Sequence, residues 1–460
     1  METILLEQWL HDIIKQKVTD DFEYRQFIGK SRLERISRVD VENFQFFKLK
    51  KALSYVYEKS SFYKELFNNN AIKPDGVRSL EDLTKVPFTA PSDLGENPYR
   101  FVCVSLGDVS RVTTLTTSGT TGHEKRVFCT NADIERMTDF MGIGIKTVAN
   151  SDDVVQILLP SGSANNQTDF LARGVKKIGA VPIKAGMNRS ADEQLNLIQQ
   201  YKSAILFAST PYMYRITQEL KGRYPLDKLG VKTLFLTSGY LSEPMRNQLQ
   251  NIWNCDVHTH YGLTEMGLGV AVECHAHNGY HFNEVDLLLE VVNPQTGEKV
   301  TNGEGELVFT TLSTEGTPLI RYRTHDMAQL ITEPCPCRAT TLLKFGKVTK
   351  RSELVVKIGD GDEIYPSLFD EVLYKISEVV DYDINLSRND SKDKLHFVVE
   401  VTQVNDEVQG RILSMILNQP LVLKNITTRK MSEPEVKIVG LGDFKRTGRA
   451  KKKITDNRTS

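Results

Sequence analysis

The sequence predicts an α/β fold: a large N-terminal α/β domain carrying a β-rich subdomain, then a small α+β domain at the C-terminus. Three observations predict it. A chain of 460 residues is too long for one typical core, so two domains are expected. From residue 100, short apolar runs such as "VVQILLPSGS", "SAILFASTP", "VKTLFLTSG" and "DVHTHYG" alternate with amphipathic stretches such as "SADEQLNLIQQYK" and "SEPMRNQLQNIW". That alternation argues for a parallel sheet with crossover helices. From about 280 the texture changes to strands broken by Gly, Asn and Pro turns, as in "DLLLEVVNPQTGEKVTNGEGELVFTTL", which suggests hairpins.

The elements follow in order. Residues 1–90 read as mostly helical. The opening "METILLEQWLHDIIKQ" sets Leu6, Trp9, Leu10, Ile13 and Ile14 at helical spacing, and its acidic residues and polar face make it a poor signal peptide. The β-rich subdomain is expected over 280–348. A boundary near Lys350 gives domains 1–349 and 350–460. The second of these holds "KLHFVVEV" and "EVKIVGL" as strands and "EVQGRILSMILNQ" as a helix, and ends in the basic "FKRTGRAKKKITDNRTS".

Composition narrows the function. Lys and Arg number 58 against 59 Asp and Glu, a net charge of -1. Nothing global therefore points to nucleic acid or to an acidic membrane surface. No apolar run approaches the ~20 residues that span a bilayer, so a cytoplasmic protein is expected. The 6 cysteines are too few for a disulfide scaffold in a chain this long, and clustered cysteines in a cytosolic protein point to metal or catalysis.

Three stretches carry chemistry. "TTSGTTGHEKR" lies between two β-prone runs, which makes it a hairpin loop and not the strand–loop–helix of a Walker site; the glycine spacing also differs. It reads either as a cradle of hydroxyls and N–H groups for a polyphosphate or as a Ser/Thr/Gly surface turn. "HTHYGLTEMG" follows at a strand end, where open α/β sheets bind ligands. There Tyr261 offers a flat face, Thr264 a hydroxyl and Glu265 a hard oxygen for Mg²⁺; the alternative is a helix capped by Thr264. In "PLIRYRTHDMAQL", Asp326 suits two ribose hydroxyls, or else pairs with Arg321 or Arg323 in the core.

The order of these stretches changes their weight. "TSGTTG", "YGLTE", "GELVFTTL" and "RYRTHD" together resemble the adenylate-forming superfamily of acyl- and aryl-CoA ligases, and within it the phenylacetate–CoA ligase-like branch. The resemblance runs from about residue 80 to the end. It implies that a carboxylate attacks the α-phosphate of ATP to give an acyl-adenylate and pyrophosphate, and that a thiol, usually of CoA, then displaces AMP. It implies that Thr117, Ser118, Gly119, Thr120, Thr121 and Gly122 grip the β- and γ-phosphates, with Lys125 at the lid's edge. Gly239, Tyr261 and Gly262 would flank the adenine, Thr264 would touch the α-phosphate, Glu265 would hold Mg²⁺, and Asp326 would bind the ribose, helped by Arg351. The C-terminal domain is then mobile and brings a lysine to the α-phosphate. The family's Gly-Lys-Ala reads "GRAKKK" here, with Arg449 in the lysine's place. Lys451 is the expected substitute and Lys452 the second choice. The family's Asp pair near the hinge is also missing from "KRSELVVKIGDGDEIYPS", which places the hinge at Lys350 or Arg351.

"ECHAHNGYH" and "PCPC" supply Cys274, three histidines, Cys335 and Cys337. Three thiolates and one imidazole make a tetrahedral zinc site; reduced buried cysteines are the alternative. A similar set occurs in some phenylacetate–CoA ligase-like proteins, and that pattern selects His281. The expected substrate is a carboxylic acid, with an aromatic one favoured, and the acyl pocket is expected from "PSGSANNQTD" and "STPYMYR". The acceptor is CoA or, alternatively, an acyl carrier protein. A nucleotide-binding relative without turnover is the rival of a different class. No nucleic-acid or membrane partner is expected, and homodimerisation is left open.

Overall fold

A computed structural model describes residues 5–115, 124–160, 166–389, 391–444 and 452–458. The chain forms two compact units. One comprises 1–152, 161–182 and 260–347; the other comprises 153–160, 183–259 and 348–460. No helix among the described residues is long and apolar enough to cross a membrane.

The first unit opens with helices Leu5–Asp20, Phe22–Ile28, Arg38–Lys59 and Ser61–Asn69. Polar caps delimit them. Asp21 accepts from the amide of Tyr24, Gly29 ends the second helix in the left-handed region at φ 65°, and Ser37 and Asp40 form a capping box. Leu6, Leu10 and Ile14 are buried with Tyr24, Val41, Phe44 and Phe47, while Trp9 and Ile13 pack at the margin. The helical spacing in the sequence therefore marks the buried face correctly.

Strands Arg111–Leu115 and Lys125–Cys129 pair antiparallel, Leu115 opposite Lys125. This is the expected hairpin around the threonine-rich loop. Helices Asn131–Lys146 and Gln167–Lys177 follow and cross with their backbones almost touching. A Cβ on Gly174 would lie 2.8 Å from the Gly142 nitrogen, and one on Gly142 would lie 2.9 Å from the Gly174 oxygen. Only glycine fits at this crossing. The rest of the unit is antiparallel sheet, in the order Leu287–Val292, Gly303–Thr311, Tyr322–Ile331, Lys344–Phe345, Tyr280–Phe282, Ala271–Glu273. These are the hairpins the turn-rich sequence predicts, and the paired strands bring residues of 271–282 beside those of 322–345.

In the second unit, Val154–Leu158, Ile205–Ser209, Thr233–Thr237 and the start of Asp256–Tyr261 pair in parallel. Helices Ala191–Tyr201, Thr210–Leu220 and Glu243–Trp253 connect or flank them, as the alternating pattern requires. The C-terminal portion is α+β. Its sheet runs Glu435–Gly440, Lys392–Val401, Val379–Asn389, Ile454–Asp456, with helices Pro366–Leu373, Asp406–Leu417 and Pro420–Thr427. Within this unit the α+β portion packs on the helices before it. Tyr214 donates its hydroxyl to the Val379 oxygen at 3.3 Å, Gln248 Nε2 donates to the Tyr374 oxygen at 2.6 Å, and the Tyr214 and Tyr374 rings meet edge to face at 5.0 Å.

Candidate active site and metal centre

The first unit gathers the residues of two separate motifs. Strand Asp256–Tyr261 ends at Tyr261, and the chain then doubles back tightly: Leu268 N donates to the Leu263 oxygen and Val270 N to the Tyr261 oxygen. A Cβ on Gly262 would lie 2.1 Å from the Leu268 oxygen, so this fold-back requires glycine. It turns Glu265 inward. Lys125, the first residue of its strand, places Nζ 2.6 Å from Glu265 Oε1, and the Tyr322 hydroxyl donates to the same oxygen at 2.9 Å. Lys125 Nζ is also 3.3 Å from that hydroxyl. Both charged side chains are largely shielded, 16% and 9% exposed. Burial pushes the Glu265 carboxyl up, but the Lys125 charge and the hydrogen bonds from Lys125 and Tyr322 outweigh it and hold the group below its ordinary value.

Asp326 sits on the same strand as Tyr322 and is fully buried. It accepts a hydrogen bond from the Tyr261 hydroxyl at 2.7 Å. Arg321 and Arg323 are engaged elsewhere. Arg321 binds Glu290 with two nitrogens at 2.9 Å each and lies 4.0 Å over the Phe88 ring, while Arg323 pairs with Glu306. Of the two readings of Asp326, the core ion pair with either arginine is therefore not formed. Tyr261 stands edge-on to Phe345 at 5.4 Å, and Tyr280 lies 5.6 Å from the same ring. Thr264 begins a three-residue 3-10 turn that has no side-chain cap bond, so the helix-capping role is not realised. A small cavity of about 40 Å³ opens beside Glu265, lined also by Val127, Arg136, Met137 and Phe140.

In the second unit Gly239 follows strand Thr233–Thr237, and a Cβ there would lie 2.9 Å from Pro211 Cδ; the chain is too close for any other residue. Arg351 is half-buried at the start of the turn Ser352–Leu354. Two tyrosines of "STPYMYR" have partners within this unit. Tyr212 bonds Gln194 and the Arg189 oxygen, and Tyr214 faces Val379. Thr117, Ser118, Gly119, Thr120, Thr121, Gly122, Arg449 and Lys451 lie outside the described residues, as do residues 161–165 of the expected acyl segment.

Lys452, the second choice for the charge at the α-phosphate, is committed to structure. Its Nζ lies 2.6 Å from the Tyr374 hydroxyl and 3.2 Å from both Asp370 and Asp381, and stands 3.8 Å over the Tyr382 ring. Burial alone would discharge it, but the facing carboxylates and Tyr374 raise its pKa well above the usual lysine value. Sequence reasoning missed this cage, and it missed Tyr322 as a partner of Glu265. For Tyr322 the only signal was its place in "RYRTHD".

A second constellation is built by two strand pairs of the first unit. Cys274 directly follows strand Ala271–Glu273, and His281 lies in the paired strand Tyr280–Phe282. Cys335 and Cys337 come from the turn after Tyr322–Ile331. All four are buried, and their ligand atoms lie within 4.8 Å of one another. Cys274 and Cys335 sulfurs are 3.6 Å apart, and Cys337 Sγ is 3.3 Å from His281 Nε2. Sulfurs on a tetrahedral zinc with bonds of about 2.3 Å stand roughly 3.8 Å apart, so the set fits such an ion. His281 Nδ1 meets the Leu343 oxygen at 3.3 Å, the outer contact that aims Nε2 inward. The Cys337 hydrogen bond, opposed by burial and aided by His281, draws the Cys274 thiol down to about 3, while the same partnership pushes Cys337 up. The cysteine turn is fastened to the N-terminal helices. Buried Glu7 accepts from the amides of Thr340 and Thr341 and from the Thr341 hydroxyl, and Glu284, paired with Arg38, accepts from the Leu343 amide.

Comparison with known proteins shows the family. The model of the AMP-binding enzyme family matches residues 73–314, and that of the AMP-binding enzyme C-terminal domain matches 361–458. The chain is 30% identical over 387 residues to a phenylacetate-coenzyme A ligase of Thermus thermophilus, covering 81% of this chain and 84% of the relative. It is 31% identical over 379 residues to the enzyme of the same name from Aromatoleum evansii, covering 80% and 83%. Among solved structures it resembles a 2-hydroxyisobutyryl-CoA ligase in the postadenylation state, in complex with R3-HIB-AMP. That match has a TM-score of 0.78 at 18% identity and covers 91% of this chain and 90% of that one, a likeness of fold.

Proposed function

The chain belongs to the AMP-binding enzyme family, in its AMP-forming CoA-ligase branch, and on that premise we propose that it activates an aromatic carboxylic acid as its acyl-adenylate and passes the acyl group to CoA. The observation that carries this is the meeting of Lys125, Glu265 and Tyr322, with Tyr261 bonded to Asp326. The names of the relatives that cover most of the chain support an arylacetic acid as the first substrate to try.

In this reading the backbone and hydroxyls of 117–122 hold the β- and γ-phosphates. Glu265 carries Mg²⁺, which supplies charge neutralisation on the phosphates. Asp326, fixed by Tyr261, receives the ribose hydroxyls. Thr264, which makes no capping bond, faces the α-phosphate, and Tyr261 and Gly262 flank the adenine. Domain 350–460 turns about Lys350 or Arg351 between half-reactions and delivers Lys451 to the α-phosphate; the commitment of Lys452 to its cage supports Lys451 over its neighbour. Positioning and charge stabilisation do the chemical work. The enzyme would act in the cytoplasm, where ATP and CoA are available.

Pyrophosphate release across a panel of carboxylic acids tests the first step, and mass spectrometry after adding CoA tests the second. Absence of release with every acid of the panel, despite ATP binding, would overturn the enzyme reading in favour of a nucleotide-binding relative without turnover. Acid-dependent release without a CoA thioester would favour transfer to a carrier protein, the reading that Arg449 in place of the family's lysine keeps in view.

We further propose that Cys274, His281, Cys335 and Cys337 hold a structural Zn²⁺. A closed Cys₃His set leaves no open position for catalysis. Protein purified without added metal should contain about one zinc per chain, and less than ~0.3 would sink the assignment.

A further inference from the structure

The contact between Lys125 and Glu265 is a contest for one site. Glu265 Oε1 accepts from two donors, the Lys125 ammonium at 2.6 Å and the Tyr322 hydroxyl at 2.9 Å. A carboxylate oxygen offers about two lone-pair directions, so both are taken. A magnesium ion would need that carboxylate at about 2.1 Å, where the ammonium now stands. An ion on the other oxygen would meet the same ammonium at close range, in a shielded site where like charges repel strongly. Access is not the obstacle, because Glu265 lines the cavity beside it.

We infer that Lys125 is a resident cation that keeps Glu265 closed to divalent metal until nucleotide phosphates draw the ammonium away, so that the metal enters only with the nucleotide. The inference rests on the reading of Glu265 as the metal carboxylate. The backbone of Lys125 is pinned by its pairing with Leu115, so the exchange is a side-chain swing. Lys125 lies three positions beyond Gly122, and the phosphates expected in the loop are the nearest anions that chain connectivity offers it. Charge bookkeeping gives the direction. Carboxylate and ammonium balance each other in the empty site. A dication added alone leaves two units of positive charge in excess, whereas a dication arriving with a polyphosphate does not. Tyr322 stays on Glu265 through the exchange. It is buried and acts as a positioning residue that keeps the carboxylate aimed while its cation changes.

The test is Mn²⁺ binding to the full-length protein, read by the free-Mn²⁺ electron paramagnetic resonance signal without nucleotide. Wild type should bind weakly at this site. Lys125→Met should bind at least about tenfold more tightly, a difference of about 1.4 kcal/mol. Lys125→Arg should remain as weak as wild type, and adding Glu265→Gln to the Met variant should abolish the gain. Lys125→Gln, which keeps a hydrogen bond but no charge, makes the same point if the Met variant does not fold. Equal Mn²⁺ affinity in wild type and both neutral variants overturns the inference. A separate measurement isolates its premise: Glu265→Gln should weaken Mn²⁺ binding in the complex with a non-hydrolysable ATP analogue. No change there removes Glu265 as the metal carboxylate, whatever Lys125 does.

Discussion

Lys125 and Glu265 lie 140 positions apart in the chain and 2.6 Å apart in space. The pair joins the strand after the threonine-rich stretch to the fold-back after Tyr261, and it brings residues of two separate motifs together. Glu265→Gln keeps the size of the side chain but removes its charge. Pyrophosphate release, assayed below the variant's melting range, should fall by about 10²–10³-fold, the range found when one transition-state charge contact is lost; the thermal midpoint should also fall, because Lys125 loses its shielded partner. A variant retaining more than a tenth of wild-type release would contradict the role.

His260 makes stability depend on pH. Burial lowers its imidazole from 6.5 to about 4, so the folded state holds the neutral ring. Its contribution is complete above pH 6.5, declines as pH falls and is lost through pH 4, a change of about 3 kcal/mol. Urea melts at pH 7.5 and 4.5 should show the decline, and His260→Gln should flatten that segment of the profile.

The proposed zinc site predicts a coupled loss. Cys337→Ser should lower both zinc content and thermal midpoint, and chelator-treated wild type should match it. Cys103→Ser, at a buried thiol outside the cluster, should keep its zinc. A variant that loses the metal but melts like wild type would make the centre dispensable to the fold.

Where helices Asn131–Lys146 and Gln167–Lys177 cross, Gly174→Ala should cost about 1–3 kcal/mol, because the added methyl meets backbone that cannot yield. Denaturant titration measures it. Gly410→Ala, with open space around it, is the control and should be neutral or slightly stabilising.

In the C-terminal cage, Lys452→Met leaves Asp370 and Asp381 facing each other without their cation. About 3 kcal/mol of stability should be lost, as for other shielded pairs broken on one side. Lys452→Arg should recover only part of it, since a planar guanidinium replaces a compact ammonium between two rings. Full stability in the Met variant would mean that the cage carries no net weight.

Much of this was legible in the sequence because it is local. Period and turn chemistry mark the parallel strands, the hairpins and the buried stripe of the first helix. The cysteines of the cluster were legible too, as a close-spaced set, while the choice of His281 among three histidines came from the family resemblance. What escaped depends on contacts between distant segments. Nothing near Tyr322 says that its hydroxyl will reach Glu265, and nothing in "AKKKIT" separates the caged lysine from its neighbours. "STPYMYR" shows the same limit: an amphipathic Tyr/Met stretch does not say in the sequence that Tyr214 will seat another part of the chain.

Glu7 sets a schedule for synthesis. Its carboxylate is satisfied by amides 333 and 334 positions further on. At about 5–20 residues per second on the ribosome, helix Leu5–Asp20 waits roughly 20 seconds to a minute for them. During that interval a charged group destined for burial and part of an apolar stripe remain in water. Until then this helix is open to misassembly, and emergence of the cysteine turn is what ends the wait.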